Sequence, residues 1–192
     1  MRERIGAPTP VSSNTPLRGC ITVLPPAIRS DRDAAALEAL LKANKVLVEL
    51  DLSHNSIGAE AVAALARAGS SRLARLNLSH NGLRGLEAGE ALRQFVLSAP
   101  DLIHLQVGMN RLGDEGGPKL AEAMRSSSRL AQLSAPNNGF GDQSAYAIGA
   151  ALGSNTTMSS LTLWGNPAIS VGARAVVSSA WGDRGGLLVL DE

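Results

Sequence analysis

Three histidines and one short polar stretch are the residues whose types come nearest to supporting chemistry. "DLSH" places Asp51, Ser53 and His54 within four positions, which are the residue types of a nucleophilic triad. A triad is defined by geometry rather than composition, and nothing in the spacing orients a base onto Ser53, so no catalysis is expected there. His54 and His80 precede identical asparagines and His104 follows nearby, so a shared metal or a pH-sensitive contact competes with the plainer reading of solvated surface histidines. The sequence has no phosphate-binding glycine loop, no dinucleotide fingerprint, no H-E-x-x-H and no cysteine pair at zinc spacing. The expectation is a protein with no catalytic, cofactor-binding or metal-binding residues, hence no enzyme and no cofactor.

The elements that would carry these side chains come from a repeat. Leu-x-x-Leu-x-Leu-x-x-Asn occurs as "LVELDLSHN" ending at Asn55, "LARLNLSHN" at Asn81, "LIHLQVGMN" at Asn110, "LAQLSAPNN" at Asn138 and "MSSLTLWGN" at Asn166. Successive subtraction gives periods of 26, 29, 28 and 28 residues. An alanine-rich run follows each asparagine, as in "LGDEGGPKLAEAM" and "FGDQSAYAIGAAL". A short strand followed by a returning helix fits each unit. Side chains alternate along a strand, so the leucines point inward and the intervening residues point the other way.

These motifs resemble the leucine-rich repeat family, and the 28-residue period with its alanine-rich helix is similar to the ribonuclease-inhibitor-like subclass. The resemblance implies an α/β solenoid, a short horseshoe segment with a parallel β-sheet on the concave face and α-helices on the convex face. It also implies that Asn55, Asn81, Asn110, Asn138 and Asn166 form a structural ladder that satisfies backbone groups stranded at each turn. Ala61, Ala64 and Ala66 should let the helix approach the sheet, with Leu65, Leu92, Leu120, Ile148 and Val176 filling successive layers. The glycines of "GDEGG", residues 113–117, read as turn glycines where a repeat enters its helix.

The domain organisation follows: a Pro-containing arm over 1–19, a degenerate N-terminal repeat over 20–46, five repeats over 47–186 and the start of a sixth, an edge strand, over 187–192. In the degenerate repeat "CITVLPP" is a candidate strand, and Ser30 with Asp33 three positions later is an acidic variant of the capping box. Met1 ahead of a degenerate repeat reads as a natural start, and the abrupt end as a truncation.

Net charge is +1, and no run of Lys or Arg exceeds two, so neither nucleic acid nor an anionic membrane is an expected partner. No apolar run approaches the roughly 20 residues that span a bilayer. Cys20 is the only cysteine, which fits a reducing compartment and predicts an intracellular, non-secreted protein: cytoplasmic, ciliary or cytoskeletal, or organellar. The Arg-, Ser- and Thr-containing start faintly resembles an organelle transit peptide.

The surface then suggests protein partners. The outward strand positions run Glu49, Arg75, His104, Gln132, Ser160 in one column and Asp51, Asn77, Gln106, Ser134, Thr162 in the next, so charge fades along the array. With His80, Met109 and Trp164 beside them, Glu49, Asp51, Arg75, Asn77, His104 and Gln106 make up a candidate concave protein-binding face. Trp164 serves there as an anchor or else folds onto its own turn. Residues 130–182 contain only Asp142 and Arg174 as charged side chains. Tyr146, Ala150 and Arg174 therefore mark a convex face that is either covered by another chain or simply neutral. "LLVL" at 187–190 would leave an apolar, unpaired edge strand, which a partner is expected to cover.

The leading expectation is a non-catalytic interaction module, a scaffold subunit of a larger multiprotein assembly. The alternatives are an enzyme regulator, since the subclass includes Ran GTPase-activating proteins and the ribonuclease inhibitor, and a fragment of a longer leucine-rich repeat receptor or ligase.

Overall fold

The computed structural model describes residues 30–69 and 72–191 and the strand at 22–23. The arm over 1–19 and Cys20 lie outside the described residues. Strand and helix alternate throughout. The strands are β1 (Thr22–Val23), β2 (Glu49–Asp51), β3 (Arg75–Asn77), β4 (His104–Gln106), β5 (Gln132–Ser134), β6 (Ser160–Thr162) and β7 (Leu187–Val189). Between them run α1 (Ala34–Ala43), α2 (Ala59–Ala68), α3 (Gly85–Ser98), α4 (Gly113–Ser126), α5 (Asp142–Ser154) and α6 (Val171–Trp181). Among the described residues the strands form one parallel sheet in chain order, and each helix packs against its neighbours in sequence. This is a leucine-rich repeat solenoid.

The register follows from the repeat. Leu50, Leu76, Leu105, Leu133, Leu161 and Leu188 are paired across consecutive strands, and the first five are at most 1% exposed. From β2 to β6 each strand is three residues long and buries its central leucine, while the residues on either side face the concave surface; β1 has two residues, and Leu188 of β7 is only partly buried. One leucine fully buried is worth about 1.5–3 kcal/mol, but a single repeat buries it only when a neighbour is stacked on it.

Two glycines read as turn residues are something else. Gly116 and Gly117 lie inside α4 and are buried. A Cβ on Gly116 would stand 2.6 Å from the Gly85 carbonyl oxygen, one on Gly89 would stand 2.6 Å from Gly116 Cα, and one on Gly117 would meet Ser144. Gly89 and Gly116 are contact points where α3 and α4 touch backbone to backbone, and Gly117 makes room for the Ser144 side chain of α5. Gly113, with φ at 59°, is the glycine that makes the turn.

The last layer is also shifted. Val176 is 43% exposed, and Val177 fills the position expected of it. The loop after Asn166 carries one more residue before its buried apolar anchor, Ile169, than the loops ending at Phe140 or Leu112, so α6 starts one position later. Ala61 and Ala64 are fully buried, whereas Ala66 is only partly so.

Ahead of α1, Ser30 Oγ accepts from the Arg32 N–H at 3.3 Å, and the Ser30 N–H donates to Asp33 Oδ2 at 3.1 Å. That reciprocal pair is a capping box built with Asp in place of Glu.

Candidate functional site

The asparagines line the turn that follows each strand. Asn110 Nδ2 donates to the carbonyls of Leu78 and Val107, both at 2.9 Å, and its Oδ1 accepts from the N–H groups of Asn81 and Leu83, both at 3.2 Å. Asn166 repeats this, donating to Ala135 and Leu163 and accepting from Asn138 and Phe140. Asn81 donates to Leu52 and Leu78 and accepts from Ile57. Asn138 donates to Val107 and Ala135, but its buried Oδ1 has no partner. Asn55, less buried, donates to Leu52 and Ser53. Asn81, Asn110, Asn138 and Asn166 each join neighbouring repeats through backbone groups of the turns, whereas Asn55 bonds within its own repeat.

Sequence reading missed a second set of inter-repeat links. Asp31 Oδ1 accepts from the Gly58 and Ala61 N–H groups at the start of α2, both at 2.9 Å. Asp114 Oδ1 does the same for Gly141 and Ser144 at the start of α5, and Asp142 accepts from Ser170 ahead of α6. Each carboxylate therefore caps the helix of the following repeat. Burial pushes the Asp114 carboxyl up, but the Ser144 hydroxyl and the N–H groups of Gly141, Ser144 and Gln143 more than offset this and hold it below its ordinary value. The signal that could have revealed these caps is an Asp beside the glycine that opens a helix, as at 113–114 and 141–142.

On the concave face the register sets Glu49, Arg75 and His104 side by side on β2, β3 and β4. Arg75 Nη1 and Glu49 Oε2 are 3.5 Å apart in an exposed pair. Burial, aided by Arg75 and only partly opposed by Glu49, lowers the His104 pKa, so the ring is neutral near pH 7. Its Nε2 lies 3.2 Å from Gln106 Nε2 and accepts from that amide, which leaves the ring proton on Nδ1. Asp51 and Asn77 turn back on the chain, accepting from the Ser53 and Ser79 N–H groups at 2.8 and 3.0 Å.

The remaining concave candidates do not join this cluster. His80 and Met109 stand on the rim beyond the strand ends, and Trp164 is half-buried beside β6 at the far end. The His54 and His80 rings stack, with centroids 4.2 Å apart and planes inclined by 15°.

The convex face divides differently. Glu38 pairs with Lys42 and Arg67, Arg67 with Glu60, and Glu122 with Lys119 and Arg93 across α1 to α4. On α5, Tyr146 is 49% exposed and Ala150 is exposed as well. Arg174 differs from these two because its guanidinium is tied to Asp191, so it is not free to meet a partner. Beyond α6, Arg184 donates to the Leu152 and Asn155 carbonyls at the end of α5. β7 is the outer strand of the sheet, with Leu187 56% exposed, and no described residue pairs with its other edge.

Among the described residues no helix is long and apolar enough to cross a membrane. A leucine-rich repeat family model matches residues 43–66 and 98–121. The structure is similar to the tropomodulin C-terminal domain of Caenorhabditis elegans, with TM-score 0.60 and 20% identity over 77% of this chain and 90% of that one. It is also similar to an internalin C2 of Listeria monocytogenes, with TM-score 0.53 and 23% identity over 79% of this chain and about half, 54%, of that one. No curated protein matches the sequence. Domains of this kind generally bind other proteins. From its repeated asparagine turns, its strand register and the family match, the chain is a leucine-rich repeat protein.

Proposed function

We propose that this protein is a non-catalytic scaffold subunit that docks a protein partner on the convex face of α5 and α6 and offers the polar floor of β2 to β4 as a second contact. The observation that supports this reading is the change of surface along the solenoid. The helices up to α4 carry an ion-pair lattice, whereas α5 exposes Tyr146 and Ala150 and carries Asp142 as its one charged residue. A solvated helix face ordinarily carries charge, so a neutral one fits cover by another chain. Preformed faces of this kind associate with little backbone change. The apolar edge at β7 suits cover by the same assembly. The 28-residue period supports placement in the ribonuclease-inhibitor-like subclass, and the single cysteine supports an intracellular setting.

The test is a native pull-down of the tagged protein beside a Tyr146→Glu, Ala150→Lys variant, with thermal unfolding measured on both. Stable partners that the variant loses at an unchanged unfolding midpoint support the scaffold reading. A protein that runs alone and monomeric, indistinguishable from its variant, overturns it.

A further inference from the structure

The rim of the sheet carries a row of donor atoms that protein docking does not explain. In consecutive repeats the residue before the ladder asparagine lies in the left-handed region: His54 at φ 57°, His80 at 56° and Met109 at 55°. Near-identical backbones at the strand spacing of about 4.8 Å send the three side chains off the rim in the same direction. Their positions are fixed by the chain, because the N–H groups of His54, His80 and Met109 donate to Ser79, Gly108 and Pro136 at 3.0, 2.9 and 2.9 Å. The imidazoles consequently stack. Both are exposed, Met109 is 39% exposed, and among the described residues neither ring nitrogen takes a hydrogen bond or a carboxylate.

Two free imidazoles and a thioether on three successive rungs form a donor set for a soft ion. We propose that His54, His80 and Met109 bind one Cu(I) ion at the rim, through one nitrogen of each ring and the Met109 sulfur. This departs from the expectation of a protein without metal. Among the described residues no three His, Cys, Asp or Glu side chains are grouped to hold a metal, so the thioether decides the identity of the ion. Zinc and nickel accept a histidine pair but gain little from a thioether, whereas Cu(I) takes both.

The ion lies outside the middle rung, His80, with His54 and Met109 flanking it. Stacked rings direct their lone pairs in parallel, so each exposed ring turns about Cβ–Cγ to bring a nitrogen to about 2.0–2.1 Å, and the stack is given up. Met109 follows through its three rotatable bonds. The row stops there, because the next residue, Asn137, lies against Gly165 on the far side.

The test titrates Cu(I) anaerobically against a chromophoric chelator, in full-length protein carrying Cys20→Ser to remove the one thiol. The expected result is one equivalent of copper withdrawn from the chelator, with both histidine ring resonances shifting together. His54→Ala or His80→Ala should weaken binding at least about tenfold, and Met109→Leu should weaken Cu(I) about tenfold while leaving Zn(II) within about twofold. All three residues are exposed, so unfolding midpoints should not move. The site is refuted if the His54→Ala, His80→Ala double variant holds copper as tightly as the parent, or if Met109→Leu changes nothing.

Discussion

The first four helices and the last two pack against the sheet in the same way and meet solvent differently. α1 to α4 are laced by exposed ion pairs centred on Glu38, Arg67, Arg93 and Glu122, while among the described residues α5 and α6 have one pair, Arg174 with Asp191. The ladder runs the other way: Asn55 and Asn81 are part-buried, whereas Asn110, Asn138 and Asn166 are 5%, 0% and 2% exposed. Exposed pairs are worth about 0–1 kcal/mol each, and a satisfied buried amide is worth more because its loss strands several backbone groups. The rungs ahead of the charge-poor α5 and α6 are deeply buried, as is Asn110 ahead of the charged α4, so rung burial does not follow surface charge. Surface and stability are set by different residues, which leaves the outer face free to serve a partner.

The sharpest way to break this contrast is to remove one rung from each half. Asn166→Ala should cost about 4 kcal/mol in urea unfolding, since two carbonyls and two N–H groups lose their partner, and Asn55→Ala about 1 kcal/mol. Equal losses would remove the difference between the halves. Next come the helix seams. Gly116→Ala should destabilise by about 2 kcal/mol because the added methyl meets backbone. Gly153→Ala in α5, where nothing lies within 4 Å, should stabilise by about 0.5 kcal/mol.

Loss of a cap is smaller. Asp114→Ala should cost about 1 kcal/mol at pH 7. The folded-state pKa of Asp114 is lowered, so its contribution is complete above the unfolded value and fades as pH falls through the folded one. A pH titration of stability on wild type and variant should converge in acid.

The smallest effect belongs to the ion-pair lattice. Its Arg93 hydrogen bond pulls Glu90 down to about 2, against opposing burial, with Gln94 and the nearby cations adding to the shift. Solvent screens this group, so Glu90→Gln should cost well under about 1 kcal/mol, present above about pH 4.5 and lost towards pH 2. The difference should also shrink in high salt. A loss as large as that of Asn166→Ala would mean that the lattice, and not the ladder, holds the solenoid.

Elements whose reason lies within one repeat were legible in the sequence. The leucine spacing placed every strand from β2 onward because burial and hydrogen bonding agree at those positions, and the alanine runs placed the helices. Features that depend on two repeats at once were harder to see. Gly116 looks like a turn residue until α3 is laid against it, and Asp114 looks like ordinary helix-start charge until Gly141 arrives 27 residues later. Val176 and Val177 exchange roles because a one-residue loop insertion rotates α6, which a fixed repeat spacing cannot register. Of the candidate surfaces, the row Glu49, Arg75, His104 followed from register, but the tie between Arg174 and Asp191 depends on how the chain returns after α6.

The aspartates that cap forward have a consequence for grafting. A segment excised at the glycine that opens its helix and spliced into another array brings a carboxylate for its successor and leaves its own helix start bare. The unit that is copied is thus offset from the unit that folds. Arrays rebuilt from this chain should be cut so that each aspartate travels with the helix it caps: a segment that carries α5 should begin ahead of Asp114, whose carboxylate accepts from Gly141 and Ser144.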